Sequence, residues 1–226
     1  MAARSTIQHR AHHHSLTLVA TGQAKFECSG CLEHGTGGDR YTCLQRSFVF
    51  NLHKDCALAQ PTLEHPLLPE TACGTRVQGI HYHCNKTDLD LHPCCAKLPL
   101  EIPLRELTFE LRKEASHRDR CAVCRGRGGY MTFWFYRSIC KTQYLHVRCV
   151  KQEVFRLTAG AGSQVDDDSM LVRFVKEIRK PGTLERTCHI IAAAARIIFA
   201  LISGDPGTAI DVAQNAVIGL LSNSTG

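Results

Sequence analysis

The residues best suited to chemistry in this chain are cysteines and histidines set at metal-ligand spacing. Cys28-x2-Cys31 is followed by His53-x2-Cys56, and Cys121-x2-Cys124 is followed by His146-x2-Cys149. Two donors separated by two residues can grip one ion from a tight turn, and two such turns supply four tetrahedral ligands. Three thiolates and one imidazole form a soft set that selects zinc, so zinc is the expected cofactor, at two complete sites. Other donors fall into incomplete sets. His14 (or His12) with Cys43 and His65 would make a second site beside the first, one ligand short. Cys73, His92 and Cys95 would make another, with Glu70 or a water in the fourth position. Cys84 stands alone, with Thr87 where a partner thiol is expected. His81, His83 and Cys94 are spare donors, Cys94 belonging to no complete set, and Cys140 and His117 are lone donors near the last site.

Composition supports a metal reading. The chain of 226 residues has 13 cysteines and 13 histidines, and an odd cysteine count means that disulfides cannot consume every thiol. Met1-Ala2-Ala3-Arg4-Ser5-Thr6 is followed by polar, His-rich sequence with no apolar core of a secretory signal. The expected location is therefore intracellular, in cytoplasm and/or nucleus, where many cysteines and histidines point to metal rather than to a disulfide scaffold. No run of about 18 uncharged apolar residues exists, so no transmembrane span is expected. The formal charge of +6, from 27 basic and 21 acidic side chains, permits weak nucleic-acid or anionic-lipid contact without requiring it. Aromatics are only 7% of residues, so metal is expected to hold small modules together in place of one large aromatic core.

The elements that must position these donors repeat along the chain. Tyr41-Thr42-Cys43 recurs as Tyr82-His83-Cys84, and Leu52-His53-Lys54-Asp55-Cys56-Ala57 recurs as Leu91-His92-Pro93-Cys94-Cys95-Ala96. A looser copy is Leu145-His146-Val147-Arg148-Cys149-Val150. The repeat predicts modules over 7–68, 69–105 and 106–152. Segments Gln45–Asn51 and Met131–Arg137, rich in Phe, Val, Trp and Tyr, read as strands, and Gly35–Gly38 and Gly126–Gly129 as turns. Beyond these, a region over 166–226 reads as helix. Leu171, Phe174, Val175 and Ile178 make one apolar stripe, with Asp166-Asp167-Asp168 at its start and Pro181-Gly182 at its end. A second helix over about 184–202 and a third to about 221, opened by Asp205-Pro206, should form a hairpin. The expected fold class is thus α+β, with tandem small zinc-stabilised β-rich modules and a C-terminal α-helical hairpin.

The motifs together resemble a known family, the divergent C1 domains of plants, relatives of the C1 zinc modules of protein kinase C. The resemblance runs through His14-Ser15-Leu16, Phe26-Glu27-Cys28-Ser29-Gly30-Cys31, Tyr41-Thr42-Cys43 and Phe50-Asn51-Leu52-His53-Lys54-Asp55-Cys56-Ala57. It continues through Gly79-Ile80-His81-Tyr82-His83-Cys84 and Leu89-Asp90-Leu91-His92-Pro93-Cys94-Cys95-Ala96, and covers roughly residues 7–150. It implies one zinc on Cys28, Cys31, His53 and Cys56, and another on a leading histidine, a second cysteine pair and a terminal ligand. Here Cys43 lacks its partner thiol, Cys73 has Glu70 and Arg76 at the flanking places, and Cys84 has Thr87. The resemblance also implies a signalling or stress-response setting.

Among function classes, an enzyme is disfavoured. A three-ligand site such as Cys73, His92 and Cys95 could leave an open position, but catalysis also needs a placed acid or base. No His-Glu-x2-His and no His-x-Glu with Pro-Cys-x2-Cys is present. Diacylglycerol binding is disfavoured because four residues, not two, separate Gln78-Gly79 from Cys84. A non-catalytic zinc-binding interaction or adaptor protein is the favoured expectation, with no partner named. The alternative is a nucleic-acid-associated nuclear regulatory protein, resting on Arg118, Arg120, Arg125, Arg127 and Arg137 near Trp134 and Phe135.

Overall fold

The computed structural model describes residues 5–152, apart from 21–24, 37–38, 46, 48, 68–72, 105–106, 115, 117–118 and 127–132, together with Ala194, Ile197 and Ile198. The first module is a four-stranded antiparallel meander. Its strands are β1 (Thr6–His9), β2 (His12–Ala20), β5 (Asp39–Cys43) and β6 (Asn51–His53), in spatial order β1-β2-β5-β6. Between β2 and β5 a small hairpin projects, β3 (Lys25–Glu27) on β4 (His34–Thr36). After β6 the chain makes one helical turn, α1 (Lys54–Ala57). The segment 45–51, expected as a strand, is largely the connection between β5 and β6. Antiparallel neighbours need a reversal there, the Cys43 N–H donates to the Phe50 carbonyl (3.0 Å), and Val49 is 91% exposed.

The last module repeats this meander strand for strand. Strands β9 (Glu101–Leu104), β10 (Leu107–Arg112), β11 (Phe135–Ser138) and β12 (Tyr144–His146) lie in the order β9-β10-β11-β12, and residues 147–152 are helical. Registers coincide. Leu16 faces Cys43 as Phe109 faces Ser138, Tyr41 faces Leu52 as Tyr136 faces Leu145, and Arg40 faces His53 as Phe135 faces His146. Leu16, Tyr41, Leu52, Phe109, Tyr136 and Leu145 are all buried, so one apolar pattern specifies both sheets. Strand β9 pairs with β10, so the expected boundary between 105 and 106 falls inside a hairpin of the last module.

The middle module is smaller. It consists of hairpin β7 (Tyr82–Cys84) on β8 (Leu89–Leu91) and a 3-10 turn, Cys95–Lys97. It is wedged between its neighbours. Ile80 N–H donates to the Gly30 carbonyl (2.8 Å). Gly79 lies so close to that carbonyl that a Cβ would fall 1.9 Å from it. Gly74, at φ +81°, lies under the Phe133 ring of the last module. A side chain at either position would collide.

The helices expected over 166–180, 184–202 and up to 221 lie outside the described residues, except for Ala194, Ile197 and Ile198. These three are helical and fully buried. Among the described residues no helix is long and apolar enough to cross a membrane.

Candidate metal centres

In both complete sets a strand and a helical turn deliver the histidine and the last cysteine. His53 ends β6 and Cys56 lies in α1, three residues on, so one turn brings both donors to the same side. His146 ends β12, and Cys149 follows in the helical segment 147–152. The paired cysteines come from a tight knuckle. Leu32 N–H donates to the Cys28 carbonyl (2.9 Å) with Leu32 at φ 60°, and Arg125 N–H donates to the Cys121 carbonyl (2.9 Å) with Arg125 at φ 60°. A non-glycine residue in the left-handed region at the same place in two modules marks one shared turn.

The donors converge. His53 Nδ1 lies 3.4 Å from Cys31 Sγ and 3.8 Å from Cys56 Sγ, while the His53 backbone N–H points to Cys28 Sγ at 3.5 Å. In the last module His146 Nδ1 lies 3.5 Å from Cys124 Sγ and 3.4 Å from Cys149 Sγ, with His146 N–H 3.4 Å from Cys121 Sγ. Around an ion bonded at about 2.0–2.3 Å, tetrahedral donors stand roughly 3.4–3.8 Å apart, which is the separation seen. Among the described residues no cysteine is in a disulfide. Crowding of the thiols splits their acidities. Cys28 is drawn well below the usual thiol range, chiefly by hydrogen bonds from Cys31 and Cys56, and Cys56 is pushed above it, chiefly by Cys28 and Cys31. Cys121 is drawn down to about 3, chiefly by Cys149, and Cys149 is pushed up. Each cluster concentrates negative charge that a divalent cation would neutralise. The two sets fit zinc in donor type, number and spacing.

The middle set is Cys73, His92 and Cys95, all fully buried, with Cys73 Sγ 3.4 Å from His92 Nδ1. Gly74, in the left-handed region, stands after Cys73 as Leu32 stands after Cys31 and Arg125 after Cys124. Cys73 therefore matches the second cysteine of each knuckle, and Glu70, three residues before it in the sequence, lies outside the described residues. Two groups from the flanking modules close in on this set. His92 Nε2 is 3.2 Å from Glu33 Oε1. Lys151 Nζ lies 2.6 Å from that oxygen, 3.0 Å from Thr75 Oγ1 and 3.8 Å from Cys95 Sγ. Burial pulls the Lys151 ammonium towards neutrality, but Cys95, Glu33 and Cys73 outweigh it and raise its pKa.

The remaining candidates divide. His12, His14 and Cys43 come together, their donor atoms within 4.8 Å of one another. His65 does not join them. It stacks on Trp134, with ring centroids 4.6 Å apart, because the chain leaving the first module runs to the last one. Cys84 enters no donor group among the described residues. Asp88 N–H donates to its carbonyl (2.9 Å) with Asp88 at φ 53°, so the knuckle shape survives with the Thr87 hydroxyl in the second thiol's place. In the last module the register puts Ser138 where the first has Cys43, and Leu107 where the first has His14. Ser138 Oγ is buried and accepts from the Thr142 N–H (3.2 Å), the Gln143 N–H (3.0 Å) and the Cys140 thiol (3.3 Å). Hydrogen bonds there occupy the place of a metal. His117 lies outside the described residues.

Cys94, expected as a spare donor, is fully buried in the first module's core with its Sγ 3.9 Å from Cys56 Sγ. Sequence reasoning also missed Glu33 and Lys151. Only the packing of three modules brings them to the middle set, so no local spacing could have signalled them. Trp134 and Phe135, the aromatics suggested for nucleic acid, are fully buried.

With the fold and donor sets in hand, the class is a small β-meander module built around Cys/His clusters. A family model for the C1 domain matches residues 10–57, from within the β1–β2 turn to the end of α1, so this stretch is a C1-like domain. No curated protein and no solved structure matches the chain.

Proposed function

We propose that this chain is a non-catalytic, zinc-stabilised interaction protein of the divergent C1 type, acting in an intracellular signalling or stress-response setting. The observation that carries the reading is the closed first cluster. Cys28, Cys31, His53 and Cys56 supply four protein donors, each no more than 1% exposed, inside the apolar core of a C1-like domain. Catalytic zinc keeps an open position, and a set of four buried protein ligands is the structural pattern. The soft thiolate-rich donors favour zinc over harder ions. Gly79 of the Gln78-Gly79 pair is docked on the first module's knuckle, against the Gly30 carbonyl. Diacylglycerol recognition is accordingly not part of the reading.

The test compares zinc-loaded chain with a Cys56→Ser variant in cross-linking to protein partners, each candidate then being re-tested as a purified pair. The expected result is a direct protein complex that needs the loaded chain. Retention on nucleic acid at physiological salt would overturn the reading in favour of a nuclear regulatory protein.

A further inference from the structure

Hairpin β7–β8 carries three donors on its solvent side that play no part in the buried clusters. His83 on β7 and Asp90 on β8 are cross-strand partners. His81 lies two residues before His83 and thus on the same side, because side chains alternate along extended chain. The opposite side carries Tyr82 and Leu91, with Leu91 buried. Asp90 Oδ1 lies 2.9 Å from His83 Nδ1 and 3.4 Å from His81 Nε2. His81 Nδ1–H donates to the Gly79 carbonyl (2.6 Å), which leaves Nε2 as the lone-pair nitrogen facing Asp90. Gly79 is itself fixed, since its close approach to Gly30 forbids a side chain and the next N–H is bonded to Gly30. A backbone bond of this kind to the far nitrogen orients an imidazole that binds metal.

Two imidazoles and one carboxylate, their donor atoms all within 4.8 Å of one another, suit a borderline divalent ion such as zinc, nickel or copper. The side chains are 37–42% exposed, and both histidines line a cleft of about 600 Å³ with Glu64, His65 and Lys86. Three protein donors leave coordination positions for water or for a small ligand in that cleft. We propose that His81, His83 and Asp90 form a solvent-accessible, exchangeable site for a borderline divalent transition ion, separate from the thiolate clusters. With no thiolate it binds more weakly than they do, so it can load and unload while they stay filled.

The experiment uses the full chain with its tightly held metal in place, titrated with Ni²⁺ alone by calorimetry. One further equivalent is expected, weakened at least about tenfold by His83→Ala and by Asp90→Asn, since even indirect partners of a metal cost that much. The variant His13→Ala, in the N-terminal histidine run, is expected to leave it unchanged. Titration with Co²⁺ gives the second readout. This site yields only weak visible bands, whereas a thiolate site yields intense charge-transfer absorption. Absence of a further equivalent, binding insensitive to His83→Ala and Asp90→Asn, or loss of it in His13→Ala would overturn the proposal. Tightly held metal is measured in each variant as the check on folding, and His81→Ala serves as a further variant if one of the others fails it.

Discussion

Individual thiols in this chain are not equivalent, and their substitutions should separate. Cys56 is one of four buried donors, so Cys56→Ser should remove one metal and unfold the first module. Structural zinc supplies on the order of 10–16 kcal/mol in small fingers, more than the roughly 5–15 kcal/mol of net stability of a domain. Cys94→Ser should keep the metal count, because Cys28, Cys31, His53 and Cys56 are untouched. It should still cost about 1–3 kcal/mol in denaturant melts, since it puts a hydroxyl in the apolar space against Cys56. Metal analysis alongside the melts checks both, and metal loss in Cys94→Ser would make it a ligand. Ser138→Ala makes a third contrast. It should leave metal unchanged and destabilise the last module by about 1–3 kcal/mol, because the N–H groups of Thr142 and Gln143 lose their buried acceptor.

At the scale of elements, each metal set joins a knuckle to a strand end and the turn that follows it. Chelation should therefore melt β5–β6 with α1 and β11–β12 with the segment 147–152, read as loss of amide protection there. Protection that survived chelator at β6 and β12 would show that the sheets hold without metal. Gly74 tests the middle knuckle. Gly74→Ala should destabilise by more than about 1 kcal/mol, because φ is +81° and the new Cβ would lie 2.6 Å from the Phe133 ring. A neutral result in thermal melts would mean that the knuckle can shift away from Phe133.

At the scale of the whole molecule, the middle set is the point where the three modules meet. Glu33 from the first, Cys73, His92 and Cys95 from the middle and Lys151 from the last form one largely buried polar group. Lys151→Met should cost about 3–5 kcal/mol, the penalty for breaking a buried pair, and should split one cooperative unfolding transition into separate ones. A single transition with an unchanged midpoint would show that the modules are coupled elsewhere. Truncation after Gly182 should keep the tightly bound metal, since the donor groups found among the described residues all precede residue 150.

The metal-ligand spacings Cys28-x2-Cys31, His53-x2-Cys56, Cys121-x2-Cys124 and His146-x2-Cys149 were readable along the chain, as was the trio Cys73, His92 and Cys95, because knuckle and turn geometry is local. The recurring residue types were readable too. Register between distant strands was not. It took the two aligned meanders to show that Ser138 holds the place of Cys43 and that Glu101–Leu104 belongs to the last sheet. Packing between modules was equally hidden. It decided that His65 meets Trp134 rather than Cys43, that Cys94 abuts Cys56, and that Glu33 and Lys151 converge on His92 and Cys95. Local spacing fixes which donors can share an ion, whereas contacts between residues far apart in the chain depend on how whole faces bury one another, and that is settled only when the modules fold together.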